Sequence, residues 1–145
     1  MLVSKEVYLK TADCQTREYG AGHVVNEVYI KSLKKWVMLD GQANVIPFLG
    51  KRPLSISELQ EAIYKNKKNL SICSFDDVTF EQYIPFIKGY LYYFSMNIDF
   101  YDPYFAGKQL MLVPLNAIKP TVFQKTQVLK DLVYTYSSKD FYPEL

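Results

Sequence analysis

The chain has 145 residues, 49% hydrophobic and 22% charged, with 13 Tyr, 9 Phe and one Trp; a chain of that length buries roughly two-thirds of its unfolded surface, which excludes disorder, collagen and coiled coil and leads us to expect one domain over 1–145. Seventeen Lys plus Arg against 15 Asp plus Glu leave +2, too even a balance for the long-range field that nucleic acid or an anionic membrane requires. No stretch approaches the ~20 apolar residues of a membrane span, and the start Met1-Leu2-Val3-Ser4-Lys5-Glu6-Val7 lacks the basic-then-apolar run of an export signal, so a cytoplasmic chain is expected by default.

Elements follow in chain order. Residues 2–10 alternate Val3, Val7 and Leu9 with Ser4, Glu6 and Lys10, a half-buried strand. Thr11 to Gly22 is a turn-rich loop. From His23 to Asp40 the pattern is strand, polar turn Lys31 to Lys34, strand, a hairpin. Gly41 and Pro47 to Pro53 punctuate what comes next. Ser55-Ile56-Ser57-Glu58 then has the S-x-x-E form of a capping box, opening a helix to about Asn66 with Leu59, Ala62 and Ile63 as its buried stripe.

Asn69 to Asp77 reads as a polar connector. Thr79 caps a second helix carrying Phe80, Tyr83, Ile84 and Ile87 on one side, with Pro85 limiting where its first turn lies. The run Tyr90 to Asp99 either prolongs that helix or begins a strand. Gln109 to Leu115 and Gln127 to Tyr136 read as strands, separated by a turn at Pro120 and followed by a Pro143 tail.

Two cysteines, Cys14 and Cys73, allow at most one bridge, and reduced thiols are the default. One histidine, and no C-x-x-C or H-x-x-x-H spacing, points to no metal site, and the glycines form no nucleotide-binding fingerprint. No cofactor is expected. Cys73 reads as a small buried apolar residue.

If Lys31 to Lys34 form a four-residue loop, Ile30 faces Lys35 and His23 faces Gln42, one diagonal step from Asp40. Side chains two apart on a strand share a face, so the register brings the imidazole and the carboxylate to diagonal range. A carboxylate there fixes the tautomer of a general base, two-thirds of a nucleophile, His, acid triad. Spacing alone favours the plainer reading, an ordinary strand histidine and an aspartate that starts a turn.

The stretch Gly22-His23-Val24-Val25-Asn26-Glu27-Val28-Tyr29-Ile30, with Lys35-Trp36-Val37-Met38-Leu39-Asp40, resembles the His and Asp strands of the transglutaminase-like superfamily, which read roughly H-x-W-x-E-V-Y and W-V-x-x-D. Val25 stands where an aromatic residue is frequent. The resemblance covers residues 20–42. It implies an α+β fold related to papain-like cysteine proteases, with an antiparallel sheet packed on helices, and thiol acyl transfer on a peptide or protein substrate. By that resemblance His23 is the general base, Asp40 its orienting acid, and Trp36 the hairpin tryptophan, with packing as its role.

The family's nucleophilic Cys opens a helix a few dozen residues before the His, and 22 residues precede His23 here. The resemblance therefore implies a domain truncated at its N-terminus, inactive against peptide or glutamine substrates without a Cys from elsewhere. Cys14, nine residues before His23, is a minor nucleophile candidate, with a solvent-facing loop thiol as the plainer reading. A sheet without its covering helix exposes apolar surface, so we expect a homo-oligomer or association with the missing segment. The contrasting reading is a non-enzymatic binding or assembly module that keeps the fold for its surface.

Overall fold

The computed structural model describes residues 2–98 and 107–145. It is an α+β protein with mostly antiparallel sheets and three helices among the described residues. The chain divides into two compact units, one of residues 1–6, 25–88 and 145, the other of residues 7–24 and 89–144. Strands β1 (Val3–Lys10) and β2 (Gly22–Ile30) run on from one unit into the other.

In the first unit β2 pairs antiparallel with β3 (Lys35–Leu39), from Ile30 opposite Lys35 to Asn26 opposite Leu39, the expected hairpin register. Its turn is closed by Leu33 N–H donating to Ile30 O at 3.1 Å, with Lys34 in the left-handed region at φ 49°. The ladder does not continue to Gln42 as expected. Asp40 instead bridges Val45, and the chain turns into β4 (Val45–Leu49).

Strand β4 is the centre of a three-stranded sheet between β5 (Arg52–Pro53) and β6 (Leu70–Ser74). Here the expected punctuation at Pro47 to Pro53 is a β4–β5 hairpin, and the expected connector at Asn69 to Asp77 contains β6. A proline inside a central strand lacks one ladder donor. Pro47 O accepts from Leu54 N–H at 2.9 Å, while Leu54 O is taken by Met38 N–H at 2.8 Å. The carbonyl that would have needed a Pro47 donor is thus satisfied from β3.

Helix α1 (Ile56–Tyr64) begins at the expected capping box. Ser55 Oγ accepts from Glu58 N–H at 3.3 Å, and Glu58 Oε2 accepts from Ser55 N–H at 2.8 Å. Leu59, Ala62 and Ile63 are buried as expected, together with Ile56. Helix α2 (Phe80–Lys88) has the same reciprocal pattern at Thr79 and Gln82, with bonds of 3.3 and 3.0 Å. Tyr83 and Ile87 are its buried residues, whereas Phe80 and Ile84 are half-buried. Pro85 stands inside the helix, beyond its first turn.

One carboxylate organises this unit. Glu27 on β2 is fully buried. Its Oε1 accepts from the Ile56 N–H that opens α1 at 2.7 Å, and its Oε2 lies 3.3 Å from Lys5 Nζ on β1. Lys5 Nζ in turn sits 4.5 Å from the centroid of the Trp36 ring on β3, a cation–π distance. Burial lowers the Lys5 amine to about 8, against the opposing pull of Glu27.

In the second unit β1 pairs antiparallel with β7 (Tyr93–Asn97), β7 with β8 (Gln109–Leu112), and β8 runs parallel to β11 (Leu132–Thr135). The expected antiparallel sheet holds for the first two of these pairs, and the last is parallel. The ambiguous run from Tyr90 contains β7, whose residues Tyr93 to Met96 are all buried. A strand covered on both faces loses the alternation that would have identified it. Asp99, where that run ends, lies outside the described residues.

The expected single strand from Gln127 to Tyr136 is two strands. β10 (Gln127–Val128) forms a hairpin with β9 (Val122–Phe123), and Asp131, at φ 56°, breaks the chain before β11. This hairpin binds the loop after β1: Gln124 N–H donates to Cys14 O at 2.7 Å, Lys125 N–H to Gln15 O at 3.0 Å, and Ala21 N–H to Gln124 Oε1 at 3.0 Å. Tyr93 and Tyr134 donate their hydroxyls to Ile118 O and Pro120 O at 2.7 and 2.6 Å, pinning the crossover from β8. A short α3 (Ser138–Phe141), absent from the sequence reading, buries Phe141.

Removing one member of a buried ion pair leaves the other charge uncompensated, at a cost of about 3–5 kcal/mol. Glu27→Ala, which also strips an acceptor from the start of α1, is expected to lower the unfolding free energy by about that amount in urea titration. Adding Lys5→Met is expected to recover part of the loss.

Candidate functional site

His23 stands on β2 in the second unit and is buried. Its ring is tilted 41° to that of Tyr90, with centroids 5.6 Å apart. It lines an open cavity of about 480 Å³ whose wall also includes Tyr8, Lys10, Phe123, Gln124 and Leu129. Gly22, the preceding residue, lets the wall close: a Cβ there would come within 3.0 Å of the Phe123 ring. A cavity of this size matches small-ligand sites.

Asp40 belongs to the first unit, one residue past β3, and is 1% exposed. Its Oδ1 accepts from the Gln42 and Ala43 N–H groups, each at 3.2 Å, and its Oδ2 from the Tyr83 hydroxyl at 2.9 Å. The plainer expectation, that Asp40 starts a turn, describes its Oδ1 bonds. Its Oδ2 bond to α2 goes further, because a side chain 43 residues away fixes the plane of the carboxylate. Burial, with the Asp40 charge and hydrogen bond adding to it, pushes the Tyr83 hydroxyl far above its ordinary range, so it remains a donor. Tyr83 reads in the sequence as one member of an apolar stripe, and nothing in its spacing marks the hydroxyl.

The two cysteines are free. Cys14 is fully buried in a cluster with Ala21, Tyr93, Met111 and Val113. This corrects the expected solvent-facing thiol. Burial raises its pKa, with Lys10 acting in the opposite sense, whereas an activated nucleophile needs a lowered one. Cys73, expected to be buried, is exposed on β6. Trp36 is buried, edge-on to Tyr29 at 5.5 Å and beneath Lys5, as a packing role requires.

Lys10 shares the His23 cavity, and the sequence placed it only on the polar side of β1. It is 7% exposed. Among the described residues no three His, Cys, Asp or Glu side chains gather into a metal-binding group, and no helix is long and apolar enough to cross a membrane. No family model, curated protein or solved structure matches the chain.

Tyr83→Phe leaves a buried carboxylate oxygen short of a donor and is expected to cost about 1–3 kcal/mol in urea unfolding. Iodoacetamide with peptide mapping is expected to modify Cys73 promptly and Cys14 roughly a hundredfold more slowly, since Cys14 reacts only on opening of the cluster.

Proposed function

We propose that this chain supplies the histidine and carboxylate of a transglutaminase-like thiol acyl-transfer site, with His23 as general base and Asp40 as its orienting acid. The observation that supports it most is the position of the only histidine. His23 stands in the wall of an open cavity, on the strand whose hairpin partner leads directly into a carboxylate already held by three donors. A general base needs access to substrate, and its acid needs a fixed orientation.

In this reading a thiol gives its proton to the His23 imidazole as sulfur bonds to the carbonyl carbon. The carbon–nitrogen or carbon–oxygen bond of the substrate then breaks, and the imidazolium returns the proton to the leaving group. An amine or water resolves the thioester. A carboxylate in the role of Asp40 stabilises the imidazolium. Cys14 is packed away in an apolar cluster, where burial raises its pKa, so we do not assign it as the nucleophile. The thiol is supplied from elsewhere.

An external thiol makes the reading testable on this chain. With 4-nitrophenyl acetate as acyl donor and N-acetylcysteamine as thiol, the protein is expected to accelerate thioester formation by about a hundredfold, the lower range of general-base catalysis. His23→Ala is expected to return the rate to background, and Asp40→Asn to lower it at least about tenfold. Equal rates with the chain and with folded His23→Ala would overturn the proposal in favour of a binding module.

A further inference from the structure

Lys10 presents an electrostatic problem that the described residues of the second unit leave unsolved. Its ammonium carries three donors. One goes to Ser95 Oγ at 3.0 Å, and the rings of Tyr8 and Phe123 lie 5.8 and 5.7 Å from Nζ. No carboxylate among the described residues pairs with it. Lys5, equally buried, has Glu27; Lys10 has an aromatic surround and the open side of a cavity of about 480 Å³. Buried charges are ordinarily paired.

We infer that this cavity is a binding site for a small monocarboxylate with an apolar body, the carboxylate taken by Lys10 and the body lying along Phe123, Tyr8 and Leu129. Charge complementarity selects the head group: an anion supplies acceptors to the remaining Nζ donors and the countercharge that no described carboxylate provides. The wall selects the tail, because two aromatic rings flank the amine and a leucine lines the same cavity. The site shares its cavity with His23, but the inference does not rest on the acyl-transfer reading. Binding depends on Lys10, whereas catalysis depends on His23 and Asp40.

Among the described residues the titratable neighbours of the amine are Tyr8 on its own strand, His23 in the cavity wall and Cys14 in the following loop, with Ser95 and Phe123 beside them. Burial brings the Lys10 amine down to about 8, with Cys14 opposing. The carboxylate binds the ammonium form, so affinity is full between the ligand's own carboxyl range, roughly 4–5, and about 8. Above that upper limit, affinity falls by about tenfold per pH unit as the free amine loses its proton.

His23 is the only histidine, so its imidazole proton resonances report on the cavity without assignment ambiguity. Titration with sodium hexanoate at pH 7 is expected to shift them saturably. Hexan-1-ol is expected to bind at least about tenfold more weakly, hexanoate at pH 9.5 likewise, and Lys10→Met to abolish the shift. The site is disproved if the alcohol matches the acid, if affinity is the same at pH 7 and 9.5, or if no saturable shift occurs. The alcohol and pH comparisons use the unaltered chain, so they decide the matter even if Lys10→Met does not fold.

Discussion

Glu27 is a carboxylate with no surface in water, and β1, β3 and α1 each supply part of what makes that tolerable. A buried ionised group is supported only by countercharge and hydrogen bonds together. Lys5 gives the charge, the Ile56 amide gives a donor where the helix end is itself positive, and the Trp36 face shields the ammonium from the other side. The Glu and Trp of the hairpin motif therefore define where the sheet strands and α1 meet within the first unit. The hairpin's Asp lies at the end of β3, so its position follows from the same arrangement.

The two buried lysines of β1 show how burial alone leaves a role undetermined. Lys5 and Lys10 are five residues apart, both nearly sealed from water, and both titrate near 8. One is matched to an internal carboxylate and serves the core; the other meets a hydroxyl, two rings and a cavity. Both fall on a strand as ordinary charged residues in the sequence. Only the partners distinguish them.

Legibility followed locality. The β2–β3 hairpin was readable because alternation and a polar turn lie within 18 residues, and α1 because both halves of its capping box are three residues apart. Strands β4 and β6 were not, because their pairing joins Pro47 to Ile72 and the missing proline donor is offset by a bond from β3 to Leu54. For the site, His23 and Asp40 stood out by residue type, while Tyr83 and Lys10 did not. The bond from Tyr83 to Asp40 spans 43 residues and that from Lys10 to Ser95 spans 85, separations at which no local pattern survives.

The division of the chain has a consequence for assembly. The second unit is discontinuous, with residues 25–88 intervening between its two parts. The bonds from the β9–β10 hairpin to the loop after β1 join residues more than 100 positions apart. During synthesis, at roughly 5–20 residues per second, β1 and its loop leave the ribosome several seconds before the segments that cover them. Non-local pairing is slow because loop-closure entropy precedes its reward, so the half of the molecule containing the cavity is the last to acquire its walls.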